Sequence, residues 1–331
     1  MVSIIIPSYN YAHLLPETLK NVSEQSFHDW ECLVIDDGST DSTKEVMANF
    51  SAKDSRYRYI HQVNSGPQVA RNNGIEKSKG DFIQFLDADD LLEPEKLKVQ
   101  TEILQNQQAD IVYSDMRYFS SAKPTEHFYS MSLNKSADHP WMQKVSGSGS
   151  VIVRSLLKEN IMVINSPLIR KSVFEKHGYF DESLKFNEDW ELWLRFAVNG
   201  VSFLYDETPG TKALVRVHEH SYSRDRFKMY VYGLKVCLGI RNKLNDKDFL
   251  RTIAIKILYH TRALDTEILE TSKTDLAKSI EMAELVYTET GRSSYRKLSR
   301  LLKKSGTFSA EFYSSSLFAY NRIVLKFVYG Y

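Results

Sequence analysis

The hydrophobic pattern of the first 115 residues alternates between short apolar runs and longer segments with apolar positions at helical spacing. The apolar runs predict strands at 2–6, 31–35, 57–61, 81–86 and 111–115, and the periodic segments predict helices at 15–25, 42–50, 68–77 and 95–107. Strands that alternate with helices favour a mostly parallel, doubly wound sheet. We therefore expect an α/β domain whose helices flank the sheet.

Beyond residue 115 the pattern is less regular. Periodicity fades through the stretch 120–150, which we interpret as a long functional loop or lid. Order returns over 161–200, where the sequence predicts a helix at 171–177 and a second one opened by N-E-D-W. The remaining chain predicts helices at 227–243, 249–270, 276–288 and 294–304. A helical C-terminal module is therefore expected.

Composition narrows the class of protein without identifying it. The 331 residues are 42% apolar and 26% charged with a formal net charge of +1, which is typical of a globular protein and does not favour a nucleic-acid partner. Cys32 and Cys237 lie far apart, so neither a disulfide framework nor a zinc site is indicated. The sequence shows no signal peptide and no apolar run that spans a membrane. These features fit a cytoplasmic protein.

Acidic side chains follow two of the predicted strands. Asp36 and Asp37 follow the second strand, and Asp87, Asp89 and Asp90 follow the fourth. Ligands of open α/β sheets bind at the carboxyl ends of the strands, where these acids would repel one another unless a cation or hydrogen-bond donors neutralised them. A D-x-D at this place suits Mg²⁺ or Mn²⁺ on a diphosphate. For an isolated D-x-D, a solvated acidic turn ahead of a helix is the more common alternative.

A second acidic segment lies at residues 187–195. Asp189 stands beside Trp190 and Trp193, and such a partly apolar setting raises the proton affinity of a carboxylate and suits it to general-base catalysis. Alternatively, Glu188 and Asp189 stabilise the start of a helix, where acids are favourable. Taken alone, this segment does not decide between the two interpretations.

Seven motifs together resemble those of glycosyltransferase family 2, whose enzymes have the Rossmann-like GT-A fold. They are SIIIPSYN at 3–10, VIDDGSTD at 34–41, GPQVARNNG at 66–74, FLDADD at 85–90, HGYFDESL at 177–184, NEDWELWLR at 187–195 and VRVHEHSYS at 215–223. The resemblance implies a catalytic domain over 1–223, with a nucleotide-sugar half at 1–115 and an acceptor half at 116–223. A helical region at 224–331 would follow it.

The resemblance implies a set of donor-binding residues in the first half. Pro7 and Tyr9 would border the nucleotide base, with Tyr9 able to stack on it. Asp37 would hydrogen-bond the base edge. Asp87, with its neighbour Ala88, would face the ribose or the metal-bound phosphates.

The same resemblance implies a divalent metal ion, Mn²⁺ or Mg²⁺. Asp89 would be its principal ligand. His218 falls at a position that in similar enzymes often reaches the metal or the diphosphate, and neutral imidazole is an acceptable ligand. His220 and Arg216 are further candidates in the same segment. A solvated loop histidine is the alternative for His218.

The resemblance assigns the chemical step to Asp189. It would deprotonate the acceptor hydroxyl as that oxygen attacks the anomeric carbon, in an inverting single displacement. Glu188 and Trp190 would lie on the acceptor side. Arg71 would lie near the donor, where it either touches phosphate or pairs with the acidic turn.

The expected function is transfer of a sugar from a nucleotide diphosphate sugar, by default a UDP-sugar, to an acceptor hydroxyl. The acceptor would be a glycan, lipid-linked or protein-linked molecule in bacterial polysaccharide or glycoprotein assembly. One rival is a nucleotidyltransferase, but the glycine-rich loop it would place after the first strand is replaced by P-S-Y-N-Y. The other rival is a non-catalytic nucleotide-sugar-binding protein, which could lose acids that this sequence retains.

The acceptor has only weak signals in the sequence. Aromatic and histidine side chains able to stack on a sugar lie in the variable segment 119–150, and they are His127, Phe128, Tyr129, His139 and Trp141. Basic residues at 292–304 and aromatic residues at 317–331 permit peripheral contact with the inner face of a membrane, or homo-oligomerisation. Packing within the helical region is the simpler explanation of both.

Overall fold

The computed structural model describes residues 1–106, 109–133, 140, 142–218 and 225–305. It divides the chain into two compact units, Met1–Ser221 and Tyr222–Tyr331. The first unit is an α/β structure and the described part of the second is helical. The predicted succession of an α/β domain and a helical module is confirmed.

Strands and helices alternate along most of the first unit. Its strands are β1 (Val2–Ser8), β2 (Trp30–Asp36), β3 (Tyr57–His61), β4 (Phe82–Phe85), β5 (Leu91–Leu92), β6 (Ile111–Ser114), β7 (Met116–Ser120), β8 (Lys123–Phe128), β9 (Pro167–Arg170), β10 (Phe203–Asp206) and β11 (Ala213–Arg216). Its helices are α1 (Leu15–Ser23), α2 (Thr43–Lys53), α3 (Pro67–Lys77), α4 (Lys96–Asn106), α5 (Ser150–Lys158), α6 (Lys171–His177) and α7 (Glu188–Val198).

Seven strands form the main sheet in the order β10-β6-β9-β4-β1-β2-β3. Neighbouring strands are parallel except where β9 runs antiparallel to both β4 and β6. The residues of β2 and β4 are buried along their whole length, as expected for strands covered by helices on both faces. The predicted mostly parallel sheet is therefore confirmed, with β9 as an antiparallel insertion.

The direction of β9 determines which segments meet at the carboxyl edge of the sheet. Because β9 is antiparallel to both neighbours, β6 points the same way as β4, and the start of β9 lies at the carboxyl edge of the sheet. The segments that follow β2, β4 and β6 therefore share this edge with Asn165 and Ser166, which precede β9. Helix α3 packs closely behind the sheet, since a Cβ on Gly74 would come within 2.3 Å of the Ile5 side chain.

A second, smaller sheet corrects the interpretation of 120–150 as a long loop. Its order is β5-β11-β7-β8, and β8 pairs antiparallel with β7 inside the supposed loop. Four of the six β8 residues are exposed, so the strand carries no apolar run by which the sequence could predict it. Helix α5, which begins at Ser150, was also not predicted, although it buries Ile152, Val153, Leu156 and Leu157.

A buried lysine ties the elements beneath the carboxyl edge. The Lys96 ammonium of α4 donates to Gln100 Oε1 at 3.0 Å, to Ser114 Oγ at 3.2 Å and to the carbonyl of Ser166. Burial lowers the pKa of Lys96 to about 7, and the charges of Asp206 and Glu93 oppose the shift. Three acceptors match the three protons of an ammonium group. The group therefore links α4, β6 and the approach to β9.

The described part of the second unit consists of α8 (Arg226–Arg241), α9 (Lys247–Ser272), α10 (Leu276–Thr290) and α11 (Ser293–Ser305). Three of these helices begin with an aspartate whose carboxylate accepts a backbone N–H of the first turn, namely Asp225, Asp246 and Asp275. Over the residues that the structure describes, no helix is long and apolar enough to cross a membrane. The aromatic segment 317–331 lies outside them.

Candidate active site

Arg71 joins the two acidic segments that the sequence singled out. Its side chain projects from α3 and is buried. One terminal nitrogen lies 2.9 Å from Asp87 Oδ1 and the other 2.8 Å from Glu188 Oε1. Of the two roles considered for Arg71, the structure shows pairing with the acidic turn. The turn after β4 and the start of α7 are thereby held in one site.

Asp89 and His218 meet although 129 residues separate them. Asp89 follows β4, His218 follows β11, and Asp89 Oδ2 lies 2.7 Å from His218 Nε2. Burial raises the pKa of Asp89 and the charge of Asp87 adds to this, while His218 opposes it. The two predicted metal ligands are therefore adjacent side chains.

This pair fits a cation that is shared with a substrate. Among the described residues there is no group of three or more histidine, cysteine or acidic side chains able to hold a metal ion alone. Asp89 and His218 offer one oxygen and one nitrogen donor, and a carboxylate oxygen is a ligand that Mg²⁺ and Mn²⁺ take in proteins. Divalent ions of this kind take the rest of their shell from substrate phosphates and water. A metal held jointly by this pair and a diphosphate is consistent with the donor set.

Hydrogen bonds from the surrounding turns hold Asp36 and Asp90 in place. Asp36 is buried and accepts from the Tyr59 hydroxyl at 2.5 Å and from the backbone N–H of Ser39 at 2.8 Å. Asp90 is also buried, and N–H donors of Asn165 and Arg216 reach its two oxygens. These contacts make both residues structural parts of the turns that carry Asp37 and Asp89.

Asp37 hydrogen-bonds the segment 62–66, which precedes α3. Its Oδ1 accepts from Gln62 Nε2 and from the backbone N–H of Ser65, and its Oδ2 accepts from that of Gly66, each at 2.8 Å. Gly66 has φ +98°, a conformation that suits glycine, and it precedes α3. Three donors largely occupy the Asp37 carboxylate. Its predicted contact with a base edge would have to use the remaining lone pair on Oδ2.

The residues after β1 provide an open aromatic surface. Tyr9 is 46% exposed, so its ring is available for stacking, and Pro7 beside it is half-buried. Ala88, in contrast, is buried, and its carbonyl accepts from the Thr18 hydroxyl at 3.0 Å. This contact fastens the acidic turn to α1, and the donor-facing role of Ala88 stays a prediction.

Tyr11 belongs to the site although the sequence did not single it out. Its ring packs edge-on against His218, with centroids 6.2 Å apart. Burial raises the pKa of Tyr11, and the charges of Asp89, Asp87 and Asp90 raise it further. The only sequence signal was its place two residues after Tyr9, in the turn that follows the first strand.

Asp189 lies at the start of α7 with one specific side-chain partner. Asn160 Nδ2 donates to Asp189 Oδ2 at 2.9 Å. Burial raises the pKa of Asp189, and hydrogen bonds from the Trp190 N–H and Asn160 oppose the shift. Burial also raises the pKa of Glu188 to about 7, against the influence of Arg71. A carboxylate whose pKa is raised in this way is suited to accept a proton.

The structure corrects the acceptor-side assignment of Trp190. Its ring is only 4% exposed, and the indole N–H donates to the carbonyl of Leu156 on α5 at 2.8 Å. Trp190 therefore packs α7 against α5 and supports Asp189 from behind. Asn160 lies just after α5, so this helix and the residues that follow it provide one contact each to the start of α7.

The aromatic candidates for the acceptor are only partly described. Phe128 is buried, and His127 Nε2 lies 3.0 Å from the carbonyl of Pro124. The Arg117 guanidinium lies 3.3 Å from the centroid of the Tyr129 ring and pairs with Asp115 at 2.7 Å. The predicted residues His139, Trp141 and His220 lie outside the described residues.

Solved structures identify the fold class as GT-A. S. aureus TarS 1–349 in complex with UDP-GlcNAc superposes with a TM-score of 0.65 and 18% identity, over 98% of this chain and 91% of that one. The mannosyltransferase PcManGT from Pyrobaculum calidifontis, in complex with GDP-Man and Mn²⁺, gives a TM-score of 0.57 and 14% identity over 95% and 86%. At these identities the likeness concerns the fold alone.

The family is shown by sequence. The profile of glycosyl transferase family 2 matches residues 3–175, just over half of the chain. The chain therefore belongs to glycosyl transferase family 2. The resemblance to this family is confirmed, and four of the seven motifs lie within the matched residues.

Curated relatives share this region. An uncharacterized glycosyltransferase of Haemophilus influenzae is 29% identical over 262 residues, which cover 78% of this chain and 94% of the relative. An uncharacterized glycosyltransferase of Rickettsia bellii is 32% identical over 193 residues, 58% of this chain. The matched region spans 26% of the length of the Rickettsia protein.

We predict that Arg71→Met destabilises the fold by about 3 kcal/mol, because it leaves the Glu188 carboxylate, which is 14% exposed, and the half-buried Asp87 carboxylate without their cation. Urea unfolding measures this. Lys20→Met is the control, since Lys20 pairs with Glu24 at 3.5 Å with both side chains exposed, where an ion pair contributes at most about 1 kcal/mol. Equal losses in the two variants would show that the Arg71 bridge does not hold the site together.

Proposed function

We propose that this chain is an inverting, metal-dependent glycosyltransferase that moves a sugar from a nucleoside diphosphate donor to an acceptor hydroxyl. The Asp87–Arg71–Glu188 bridge is the observation that carries the proposal. It connects the turn that holds Asp89 to the helix that begins with Asp189. A candidate metal ligand and a candidate base are therefore parts of one site, as a displacement at the anomeric carbon requires.

The donor half is supported by the turn after β1 and by the Asp89–His218 pair. The exposed Tyr9 ring offers a stacking surface for a base. Asp89 and His218 would hold Mn²⁺ or Mg²⁺, which when bound neutralises the charge that develops on the departing diphosphate. TarS is described with UDP-GlcNAc and PcManGT with GDP-Man. We propose a UDP-sugar carrying a hexose or an N-acetylhexosamine, on the basis of the motif pattern.

The chemical step is assigned to Asp189. Its carboxylate removes the proton of the acceptor hydroxyl, the new bond forms between that oxygen and the anomeric carbon, and the bond from that carbon to the diphosphate breaks. The nucleoside diphosphate leaves with the bonding electrons, and the anomeric configuration inverts. Asn160 keeps the carboxylate oriented through its 2.9 Å hydrogen bond.

The rival functions lack a supporting observation. Membership of glycosyl transferase family 2 argues against a nucleotidyltransferase. A protein that only binds nucleotide sugars does not need a half-buried carboxylate with a raised pKa at the start of α7. A glycan, lipid-linked or protein-linked acceptor in bacterial polysaccharide or glycoprotein assembly, a cytoplasmic location, membrane contact and self-association stay predictions from the sequence.

The metal assignment predicts the behaviour of Asp89→Asn, which keeps the shape of the side chain and removes its charge. With Mn²⁺ present, we expect its affinity for UDP to fall by about tenfold or more, equivalent to about 1.4 kcal/mol, and His218→Ala to fall in the same direction. Affinity for UDP without metal should not change. Isothermal titration calorimetry measures the affinity for UDP of each variant with and without Mn²⁺. Asp81→Asn, at an exposed position, is the control. Equal affinities of wild type and Asp89→Asn in Mn²⁺ would contradict the assignment.

The base assignment predicts that Asp189→Asn lowers kcat by about 10²- to 10⁴-fold and leaves donor affinity within about twofold. An ionised base is needed, so activity should rise with pH through the pKa of Asp189. Burial raises that pKa, which places the acid limb of kcat/KM above the ordinary aspartate value of about 3.9. Glu188, Arg71 and Asp87 are the charged groups nearby.

Glu188→Gln is the matched variant for this test, since it removes the neighbouring carboxylate and keeps Asp189. It should retain an acid limb. Wild-type turnover in Asp189→Asn, measured by release of nucleoside diphosphate in the presence of acceptor, would rule out Asp189 as the base.

A further inference from the structure

The Asp90 carboxylate is enclosed, and each of its oxygens accepts a hydrogen bond from the protein. Asp90 is 3% exposed. Its Oδ1 accepts the backbone N–H of Arg216 at 2.7 Å, and its Oδ2 accepts Nδ2 of Asn165 at 2.5 Å. Asp90 is thus adjacent in sequence to Asp89, yet both of its oxygens bind protein donors.

Asn165 forms hydrogen bonds with both ends of the acidic turn, residues 87–90. Its Nδ2 reaches Asp90, and its Oδ1 accepts the backbone N–H of Asp87 at 3.0 Å. Asn165 is itself anchored, because its carbonyl accepts from Gln84 Nε2 at 2.9 Å and the next residue, Ser166, accepts from the buried Lys96. One amide side chain therefore sets the spacing between the first and last residues of D-A-D-D.

Arg216 connects the same turn to β11, the strand that precedes His218. Beyond its backbone bond to Asp90, its Nε donates to the carbonyl of Asp89 at 2.7 Å. Its terminal nitrogens donate to Glu17 Oε2 at 2.8 Å and to Ser121 Oγ at 2.7 Å. His218 lies two residues further along the chain. Arg216 therefore fixes where β11 meets the acidic turn.

We propose that Asp90, Asn165 and Arg216 form a clamp that positions Asp89 and His218 to share a metal ion. The inference rests on the proposed metal site and adds three positioning residues to it. Neighbouring carboxylates in the turn repel one another, and the N–H donors on Asp90 offset part of that repulsion without using Asp89. Two metal ligands that come from distant segments of the chain need such support, because small displacements of either ligand weaken metal binding.

An exchange of the two side chains tests the clamp. Asp90→Asn places an amide NH₂ against the NH₂ of Asn165, and Asn165→Asp places two carboxylates together, so each change removes the bond. The double variant restores it: the introduced asparagine donates to the introduced aspartate and still accepts from Arg216, and the introduced aspartate still accepts from Asp87.

The measurements are Mn²⁺ affinity by calorimetry in the presence of UDP, and the thermal unfolding temperature. We expect each single variant to bind Mn²⁺ at least about tenfold more weakly and the double variant to recover to within about threefold of wild type, one decade corresponding to about 1.4 kcal/mol. Wild-type Mn²⁺ affinity in the single variants would overturn the clamp. Recovery of unfolding temperature without recovery of Mn²⁺ affinity would also overturn it, because the Asp90 carboxylate would then act on the metal itself.

Asn21→Ala is the matched control for a purely structural effect. Asn21 also makes two amide hydrogen bonds to the segment after the acidic turn, to the carbonyl of Leu92 at 3.0 Å and from its N–H at 2.8 Å. It should lower the unfolding temperature and leave Mn²⁺ affinity within about twofold. If Asn21→Ala lost as much Mn²⁺ affinity as the clamp variants, the loss would reflect general stability, and the clamp would be overturned.

Arg216→Lys provides a second route if a single variant fails to fold. It keeps the backbone bond to Asp90 and removes the Nε bond to the Asp89 carbonyl, so Mn²⁺ affinity should fall by severalfold, and unchanged affinity would overturn the clamp. Absence of Mn²⁺ binding in the wild type would overturn the metal site and the clamp together. Mn²⁺ binding in the wild type that no clamp variant weakens would overturn the clamp alone.

Discussion

Mutual repulsion among the carboxylates at the carboxyl edge of the sheet is the constraint on which the site depends. Charges packed this closely need a neutralising partner if the fold is to keep them. Asp87 has Arg71, and Asp90 has two N–H donors. Among the residues that the structure describes, the charge-bearing side chain paired with Asp89 is the imidazole of His218. The edge therefore leaves one carboxylate suited to an additional cation, and a diphosphate complex of that cation would complete the compensation.

The same compensation connects the two halves of the reaction. Arg71 neutralises Asp87 and also holds Glu188, the residue before the candidate base. Helix α5 secures the other side of α7, because Trp190 donates to its backbone and Asn160 donates to Asp189. Burial that raises the pKa of Asp189 follows from this enclosure. The electrostatics of the donor side and the positioning of the base are thus consequences of one packed arrangement.

Hydrophobic periodicity predicted the alternating part of the fold because β1, β2 and β4 carry apolar runs that pack between helices. It did not predict β8, whose residues are mostly exposed, and it could not give the antiparallel direction of β9, which is a tertiary property. The missed direction matters for function, since it brings Asn165 to the carboxyl edge.

Some residues of the candidate site could be found from sequence motifs, and others are apparent only in the structure. The resemblance led to Asp89 and His218, and the structure places them side by side. Asn165 gave no signal, because its partners lie 75 and 78 residues away and an asparagine before a strand is unremarkable in sequence. Trp190 shows the converse, since a residue inside a motif can serve packing.

The central claim is that this chain breaks the bond between a sugar and a nucleoside diphosphate. Incubating the protein with a panel of UDP- and GDP-sugars and Mn²⁺, and following the phosphorus-containing products by ³¹P NMR, tests it most directly. Slow, Mn²⁺-dependent release of nucleoside diphosphate from at least one donor, by transfer to water in the absence of acceptor, is the predicted result. Release of pyrophosphate or nucleoside monophosphate, or binding of a nucleotide sugar with no cleavage even after acceptor glycans are added, would contradict it.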